Sequence, residues 1–242
     1  MQITIVIPTY NEAGNLPKLV SALFALPLDL RVLVVDDNSP DGTGQVADEL
    51  AKAHPGRVSV MHRAGKLGLS SAYLQGFKKV LADGAEGVVQ MDADFSHDPQ
   101  VLVEMAKRIE DADLVLGSRY VAGGSVDERW SPWRKGLSAF GNFYARTLLG
   151  MPLRDMTTGY RLWRREALLR LPLERIKSSG YVFLVELAFL AHSFGLRIVE
   201  TPIYFSDRRW GKSKMSLTIQ VEAAFRIWQV KWGYRDLGTR PR

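Results

Sequence analysis

The chain has 242 residues, of which 46% are hydrophobic and 24% charged; this is ordinary globular composition and excludes disorder, collagen and coiled coil. Cysteine is absent, which excludes a disulfide framework, zinc fingers, iron–sulfur ligation and thiol catalysis. The net charge of +6 is unevenly spread. Residues 1–118 carry 10 Lys and Arg against 16 Asp and Glu, and residues 119–242 carry 22 against 10, so one half suits a cation and the other suits anions.

Met1 runs directly into the alternating segment Gln2-Ile3-Thr4-Ile5-Val6-Ile7, with no basic and apolar leader pattern ahead of it, so no signal peptide is expected. Short β-rich runs at 3–7, 31–35, 57–61, 87–91 and 113–117 read as strands. Between them, Leu16, Leu19, Val20, Leu23 and Phe24 recur at helical spacing, and helical patterns also cover 43–54, 70–83 and 98–110. The alternation predicts an α/β fold with a mainly parallel sheet flanked by helices. After Tyr120 the rhythm breaks. A glycine-containing loop is expected over 121–132, helices over 134–149 and 166–171, and a short strand at 161–163. A buried helix is expected over 181–194, a strand over 196–205 and a long helix over 216–234. The apolar stretch 181–191 is too short to cross a bilayer and contains Glu186. Without repeats or a clear linker, one composite domain is expected.

In parallel sheets the chemistry lies beyond the carboxyl ends of the strands. Strand one ends in Pro8-Thr9-Tyr10-Asn11-Glu12, strand two in Asp36-Asp37-Asn38-Ser39-Pro40-Asp41-Gly42-Thr43 and strand four in Asp92-Ala93-Asp94. Like charges gathered at one rim need a cation or hydrogen bonds between them. Asp92 and Asp94 at i and i+2 share a face of extended chain and suit Mg²⁺ or Mn²⁺, with phosphates completing the shell. The second half supplies pyrophosphate clamps: Arg119 closes strand five, Arg134 and Lys135 open a helix with Ser138 one turn on, and Arg208 to Lys214 follow the last strand. Arg129, Arg146, Arg170, Arg175 and Arg197 are expected in surface ion pairs. Gly211-Lys212-Ser213 lacks the earlier glycine of a P-loop, no G-x-G-x-x-G follows the first strand, and no H-E-x-x-H occurs. His54 and His62 should be exposed and His192 packed, with His97 shaping the loop after Asp94. The basic clusters form no nucleic-acid module.

Eight motifs in this order resemble family-two glycosyltransferases of the GT-A fold, and within them the dolichol-phosphate (polyprenol-phosphate) mannose synthases. They are 8–12, 36–43, Lys66-Leu67-Gly68-Leu69, 91–97, Gly117-Ser118-Arg119-Tyr120, Asp155-Met156-Thr157-Thr158-Gly159-Tyr160-Arg161, Gly180-Tyr181-Val182-Phe183 and 208–214. The resemblance implies a glycosyltransferase domain over 1–215, with a nucleotide-binding half (1–118) and an acceptor half (119–215). An amphipathic helix and basic tail follow over 216–242.

The same resemblance implies that Pro8, Tyr10, Glu12, Val35 and Asp37 cradle guanosine, and that Asp92, Ala93 and Asp94 meet the sugar diphosphate and a Mg²⁺ or Mn²⁺ ion. Ser96 would be a weaker third ligand. Arg119, Arg134 and Ser138 stand near the phosphates, and Arg208 and Lys214 on the donor side. The implied reaction is metal-dependent, inverting transfer of mannose from GDP-mannose to a polyprenyl phosphate, with Asp94, Arg119, Arg134 and Ser138 catalytic. Alternatives are UDP-glucose as donor, a polysaccharide hydroxyl as acceptor, or a non-catalytic nucleotide-sugar binding module. The implied location is cytoplasmic and peripheral at the membrane, with a membrane-protein partner left open. Spacing alone gives Asp155 no definite role: it could orient a basic side chain or the sugar. It also leaves open whether the last helix packs on the domain or lies in a membrane interface.

Overall fold

Alternating β-branched and aliphatic residues in the first strand point to both faces of a sheet, and both faces are buried. The computed structural model describes residues 1–207 and 217–237, with only the backbone for 217–223 and Leu237. Four strands, β1 (Ile3–Thr9), β2 (Leu30–Asp36), β3 (Val58–His62) and β4 (Gly87–Gln90), run parallel and are joined by α1 (Leu16–Phe24), α2 (Thr43–Ala53) and α3 (Leu69–Ala82). Then α4 (Val101–Arg108) leads to β5 (Leu114–Ser118), followed by β6 (Ser125–Val126) and α5 (Pro132–Leu149). The remainder is β7 (Arg161–Arg164), α6 (Arg165–Arg170), α7 (Gly180–Ser193), β8 (Ile198–Pro202), β9 (Tyr204–Phe205) and α8 (Leu217–Gly233).

The main sheet has the order β3-β2-β1-β4-β7-β5-β8. The chain first builds outward from β1 through β2 to β3 and then returns to β1's other side at β4. This reversal opens a crevice at the carboxyl ends of β1 and β4, where open α/β sheets bind ligands. One face of the sheet, including Val6, Val35, Val88 and Leu116, packs against α3, α5, α7 and α8. The other, including Ile5, Ile7, Val89 and Val115, packs against α1 and α4. Helix α3 approaches the sheet closely because Gly76 has no side chain: a Cβ there would lie 2.5 Å from Val6 Cγ1.

The structure departs from the sequence reading in several places. The short strand at 161–163 is β7, which inserts antiparallel between β4 and β5 and so makes the sheet mixed. The strand expected over 196–205 is broken at Ile203 into β8, beside β5, and β9. The loop expected over 121–132 contains β6, which pairs with β9. His192 is exposed, not packed.

Two helices past the break define the second half. In α5, the Ser131 hydroxyl caps the amide of Arg134, Pro132 occupies the first turn, and left-handed Gly150 ends the helix. Helix α8 lies on the domain through Ile227 and Val230, with Tyr234 just past its end, all three buried, and the Tyr234 hydroxyl donates to Glu186 at 2.7 Å.

Candidate active site

The first two strand ends are tied together by side chains that accept backbone amides. Asp36 accepts from the hydroxyls of Thr9 (2.9 Å) and Ser39 (2.6 Å) and from the Ser39 amide. The Thr43 hydroxyl accepts the amide of Glu12, and Asp41 accepts that of Ala13. Asp36 and Asp41 therefore build the rim. Pro8 and Glu12 are half-buried beside it, and Tyr10 is exposed. Asp37 lies 2.9 Å from the Arg63 guanidinium; burial pushes its carboxyl up, and Arg63 opposes this. The Lys66 ammonium stands 4.0 Å above the Tyr10 ring. Val35 is placed differently: its side chain is fully buried in the core beside Gly76, so it can offer a ligand no side-chain contact.

Beyond β4 the chain leaves extended geometry. Asp92 lies outside any strand, and Ala93 and Asp94 lie in a turn, so strand alternation does not set the directions of the two carboxylates. The Ser96 amide donates to Asp94 Oδ1 at 3.0 Å, and the Asp92 amide donates to His97 Nδ1 at 3.2 Å. His97 is buried, and burial pulls its imidazole below the ordinary value against the pull of Asp92 and Asp94. The Tyr73 hydroxyl donates to Asp92 Oδ1 at 3.4 Å; burial, then the Asp92 charge, push Tyr73 well above its ordinary value and keep that proton in place. Gly159 lies beside the same loop: a Cβ there would stand 3.4 Å from His97 Cε1 and 3.8 and 3.9 Å from the two Asp92 oxygens, all ordinary contact.

Among the described residues, the non-glycine residues with positive φ are Asn11 (64°), Asn38 (55°) and Phe95 (60°). They occupy the loops after β1, β2 and β4. Such a backbone costs about 1–3 kcal/mol for an aromatic residue, and strain of this kind gathers at functional sites.

The donor set also bears on a metal. No group of three His, Cys, Asp or Glu suited to an ion occurs among the described residues. Asp92 and Asp94 supply hard oxygen donors, one of them shared with the Ser96 amide, and the Ser96 hydroxyl is buried without a hydrogen-bond partner. Two carboxylates and a hydroxyl fit a hard cation whose remaining ligands come from bound phosphate.

On the basic side, Arg119 forms a two-pronged pair with Asp155. Nε and Nη2 each donate at 2.7 Å, the Arg119 amide donates at 3.0 Å, and Nη2 also reaches Thr157 Oγ1 at 2.7 Å. Burial pushes the Asp155 carboxyl up, but Arg119 outweighs it and holds the carboxyl below its usual range. Burial likewise opposes the Arg119 charge, and Asp155 prevails and raises it. Asp155 thus orients a basic side chain. Asn142 of α5 joins this network, donating to Thr157 Oγ1 and accepting the Met156 amide. Arg161 donates from beneath to the carbonyls of Met156, Thr158 and Leu184, and burial lowers it to about 9.

Arg134 pairs with Asp207 at 3.0 Å and lies 3.7 Å over the Trp130 ring. The Ser138 hydroxyl accepts from the Tyr120 hydroxyl at 2.7 Å. Arg208 and Lys214 lie outside the described residues. Arg129 and Arg175 form ion pairs with Asp127 and Asp236.

An aromatic row joins the acidic and basic sides. The His97 ring stacks on Tyr160 at 5.0 Å and meets Phe205 edge-on at 5.6 Å. Phe205 also lies 5.3 Å from the Arg119 guanidinium and 5.8 Å from Trp130, on which Arg134 rests. One ring therefore separates the histidine holding the Asp92 loop from Arg119. His97 and Phe205 carry this linkage, with Tyr73 on Asp92 and Asn142 on Thr157 at its two ends, and nothing in their spacing announces it. Lys66 opens the Lys66-Leu67-Gly68-Leu69 motif and Arg63 lies just before it, and that motif is the sequence signal that pointed towards them.

The model of the family described as "Glycosyl transferase family 2" matches residues 4–171. The chain is 47% identical over 240 residues to the polyprenol monophosphomannose synthase of Mycolicibacterium smegmatis, covering 98% of this chain and 89% of that protein. It is 44% identical over 233 residues to the undecaprenyl-phosphate mannosyltransferase of Micrococcus luteus, with 96% and 94% covered. Among solved structures, it is similar to glucosyl-3-phosphoglycerate synthase from Mycobacterium tuberculosis in complex with Mn²⁺, UDP-glucose and phosphoglyceric acid. There the TM-score is 0.63 at 18% identity, over 99% of this chain and 81% of that one. Mannosyl-3-phosphoglycerate synthase from Rubrobacter xylanophilus gives 0.66 at 17%, over 100% and 76%. At such identities these two structures speak for the fold alone.

Proposed function

The chain belongs to glycosyl transferase family 2 and has the GT-A fold, and we propose that it moves mannose from GDP-mannose to a polyprenyl phosphate with inversion at the anomeric carbon. The observation that carries this reading is the meeting, across Phe205, of an acidic rim at Asp92 and Asp94 with Arg119. A sugar diphosphate, held through a cation on the acidic side, and a phosphate acceptor on the basic side are two anions, and each then meets positive charge. The names of the two curated relatives agree with mannose and a polyprenyl phosphate; GDP rests on the family resemblance.

On this reading Pro8, Tyr10, Glu12 and Asp37 hold the nucleoside, with Arg63 and Lys66 behind Asp37 and Tyr10. Asp92 and Asp94, with Ser96 beneath, would hold Mg²⁺ or Mn²⁺, which when bound supplies positive charge to the departing diphosphate. Arg119, kept in place by Asp155 and Thr157, and Arg134, resting on Trp130, attract the acceptor phosphate and offset its repulsion from the donor. Ser138, fixed by Tyr120, donates a hydrogen bond on the same side. Arg208 and Lys214 are proposed contacts to the donor diphosphate.

A phosphate monoester has a second pKa of about 6 and carries a nucleophilic oxygen at neutral pH. It needs no general base, a device worth roughly 10²–10⁴-fold where a hydroxyl must be activated. The acceptor oxygen bonds to the anomeric carbon as the bond to the diphosphate breaks, and the nucleotide diphosphate leaves. One such displacement inverts the centre.

No helix among the described residues is long and apolar enough to cross a membrane, so the reading includes a peripheral approach to the lipid. The test is a panel of nucleotide sugars with polyprenyl phosphate and Mg²⁺ or Mn²⁺, scored for lipid-linked product and its anomeric configuration. GDP-mannose should lead and give the inverted anomer. A preference for UDP-glucose, a polysaccharide hydroxyl as acceptor, or retention at the anomeric carbon would overturn it.

A further inference from the structure

On the sheet face that packs against α3, β1 and β2 are aliphatic near the site, at Val6, Leu33 and Val35. At the opposite, amino-terminal end the same alternation delivers polar residues, Thr4 and Arg31, with Gln2 just before the strand. Thr4 and Arg31 are partners in the β1–β2 register, and Ser59 of β3 pairs with Leu33, two residues further on. Helix α3 leaves this end uncovered. It stops at Ala82, and Gly84, with a left-handed φ of 87°, turns the chain towards β4. The space left is a cavity of about 300 Å³ whose walls include Gln2, Thr4, Arg31, Arg57, Ser59 and Asp83.

The two cations of this cavity are held in place without being neutralised. With its amide oxygen turned to the guanidinium, Gln2 accepts from Arg31 Nε at 3.1 Å and Nη2 at 2.9 Å. Arg57 donates from Nε to the Leu30 carbonyl at 3.4 Å and lies 3.7 Å from the centre of the Phe24 ring. All of these partners are neutral, and Asp83, the carboxylate on the cavity wall, is taken by Lys79 at 2.9 Å. Thr4 is 7% exposed, and among the described residues neither its hydroxyl nor that of Ser59 has a hydrogen-bond partner. Like charges on one wall repel, and an anion between them removes that cost. Guanidinium groups meet phosphate through paired N–H bonds, and each hydroxyl can donate one more. Two uncompensated positive charges match the near-dianion of a phosphate monoester at neutral pH. The volume stands at the small end of ligand pockets, which suits a phosphate with a short organic group. We propose that this cavity binds a small phosphate monoester. It is separate from the catalytic rim: about five residues of β1 lie between Thr4 and Thr9, or about 17 Å at ~3.3 Å each, so the proposal stands independently of the functional reading above.

The experiment is calorimetric titration of the full chain with glycerol 3-phosphate, inorganic phosphate and succinate. It compares wild type with T4V, R31Q/R57Q and R134A, the last reporting any phosphate bound at the basic side of the catalytic site. Glycerol 3-phosphate should bind saturably and equally to wild type and R134A. It should bind about tenfold more weakly to T4V, which loses one hydrogen bond to a charged group, and at least about a hundredfold more weakly to R31Q/R57Q. The T4V protein should keep or raise its thermal midpoint without ligand, because a methyl replaces an unpartnered hydroxyl, so its weaker binding reads the site and not the fold. Absence of saturable binding to wild type, binding that R134A abolishes, or T4V and R31Q/R57Q that bind like wild type would overturn the site. Inorganic phosphate or succinate binding more tightly than glycerol 3-phosphate would overturn the assignment to a phosphate monoester.

Discussion

Replacing Asp155 with Ala tests the basic half of the site most directly. Wild-type Asp155 is completely buried and accepts Arg119 Nε, Nη2 and the Arg119 amide at 2.7, 2.7 and 3.0 Å. After the substitution the guanidinium remains buried with Thr157 Oγ1 as its nearest neutral acceptor. Breaking a buried pair by removing one partner destabilises by about 3–5 kcal/mol, because the remaining charge has lost its compensation. For a chain of this size each kcal/mol moves the thermal midpoint by about 2–4 °C, so the midpoint should fall by about 6–20 °C. Equilibrium denaturant unfolding and calorimetry at neutral pH give both quantities. The double variant D155L/R119M, which removes both charges, should recover much of the loss while remaining poor in turnover. The pH dependence has a definite sign. The folded-state carboxyl lies below its usual value, so its stabilisation is complete above the ordinary carboxylate range and is lost as the pH falls through the folded value. Wild type and the Asp155→Ala variant should therefore converge in stability on acidification. A loss below about 1 kcal/mol, the worth of a solvent-exposed pair, or a gap that does not shrink in acid, would refute the reasoning.

Asp94→Ala should abolish turnover and metal-dependent donor binding while the protein stays folded by circular dichroism; retention of both activities would remove the metal assignment. Arg134→Ala should raise the acceptor KM more than it weakens GDP-mannose binding, and equal effects would place Arg134 on the donor. Gly76→Ala should lower stability by about 1–3 kcal/mol, since the new methyl would meet Val6 Cγ1 at 2.5 Å. An unchanged or higher thermal midpoint would show that α3 shifts freely.

The parallel strands and the flanking helices were legible because each obeys a local rule. In β1 the aliphatic residues alternate between two buried faces, and in α1 Leu16, Leu19, Val20 and Leu23 share one side. The acidic strand ends were legible for the same reason: a strand that stops at Asp36 or shortly before Asp92 must deliver the next few residues to the sheet's rim. The antiparallel insertion of β7 was not legible, because Arg161–Arg164 is four residues long and its direction depends on which neighbours accept its hydrogen bonds. Asp155 was visible as a motif member without a role, since its partner Arg119 lies 36 positions away. Helix α8 was posed as packed or interfacial. The structure buries Ile227, Val230 and Tyr234 and leaves Phe225, Trp228 and Trp232 exposed, so deleting 216–242 would uncover core.

By itself the sequence determined the α/β alternation, the acidic character of the first half and the basic character of the second, because hydrophobic period and formal charge are local properties. Only the tertiary structure decided which acids build the rim and which neighbours each acid meets. It set Asp36 and Asp41 onto backbone amides and hydroxyls, placed Asp92 against Tyr73 and His97, and buried Arg119 in the grip of Asp155. The physical reason is that a charged group's chemistry comes from its burial and its partner, and in a sheet of this order both are supplied by segments far apart in the chain.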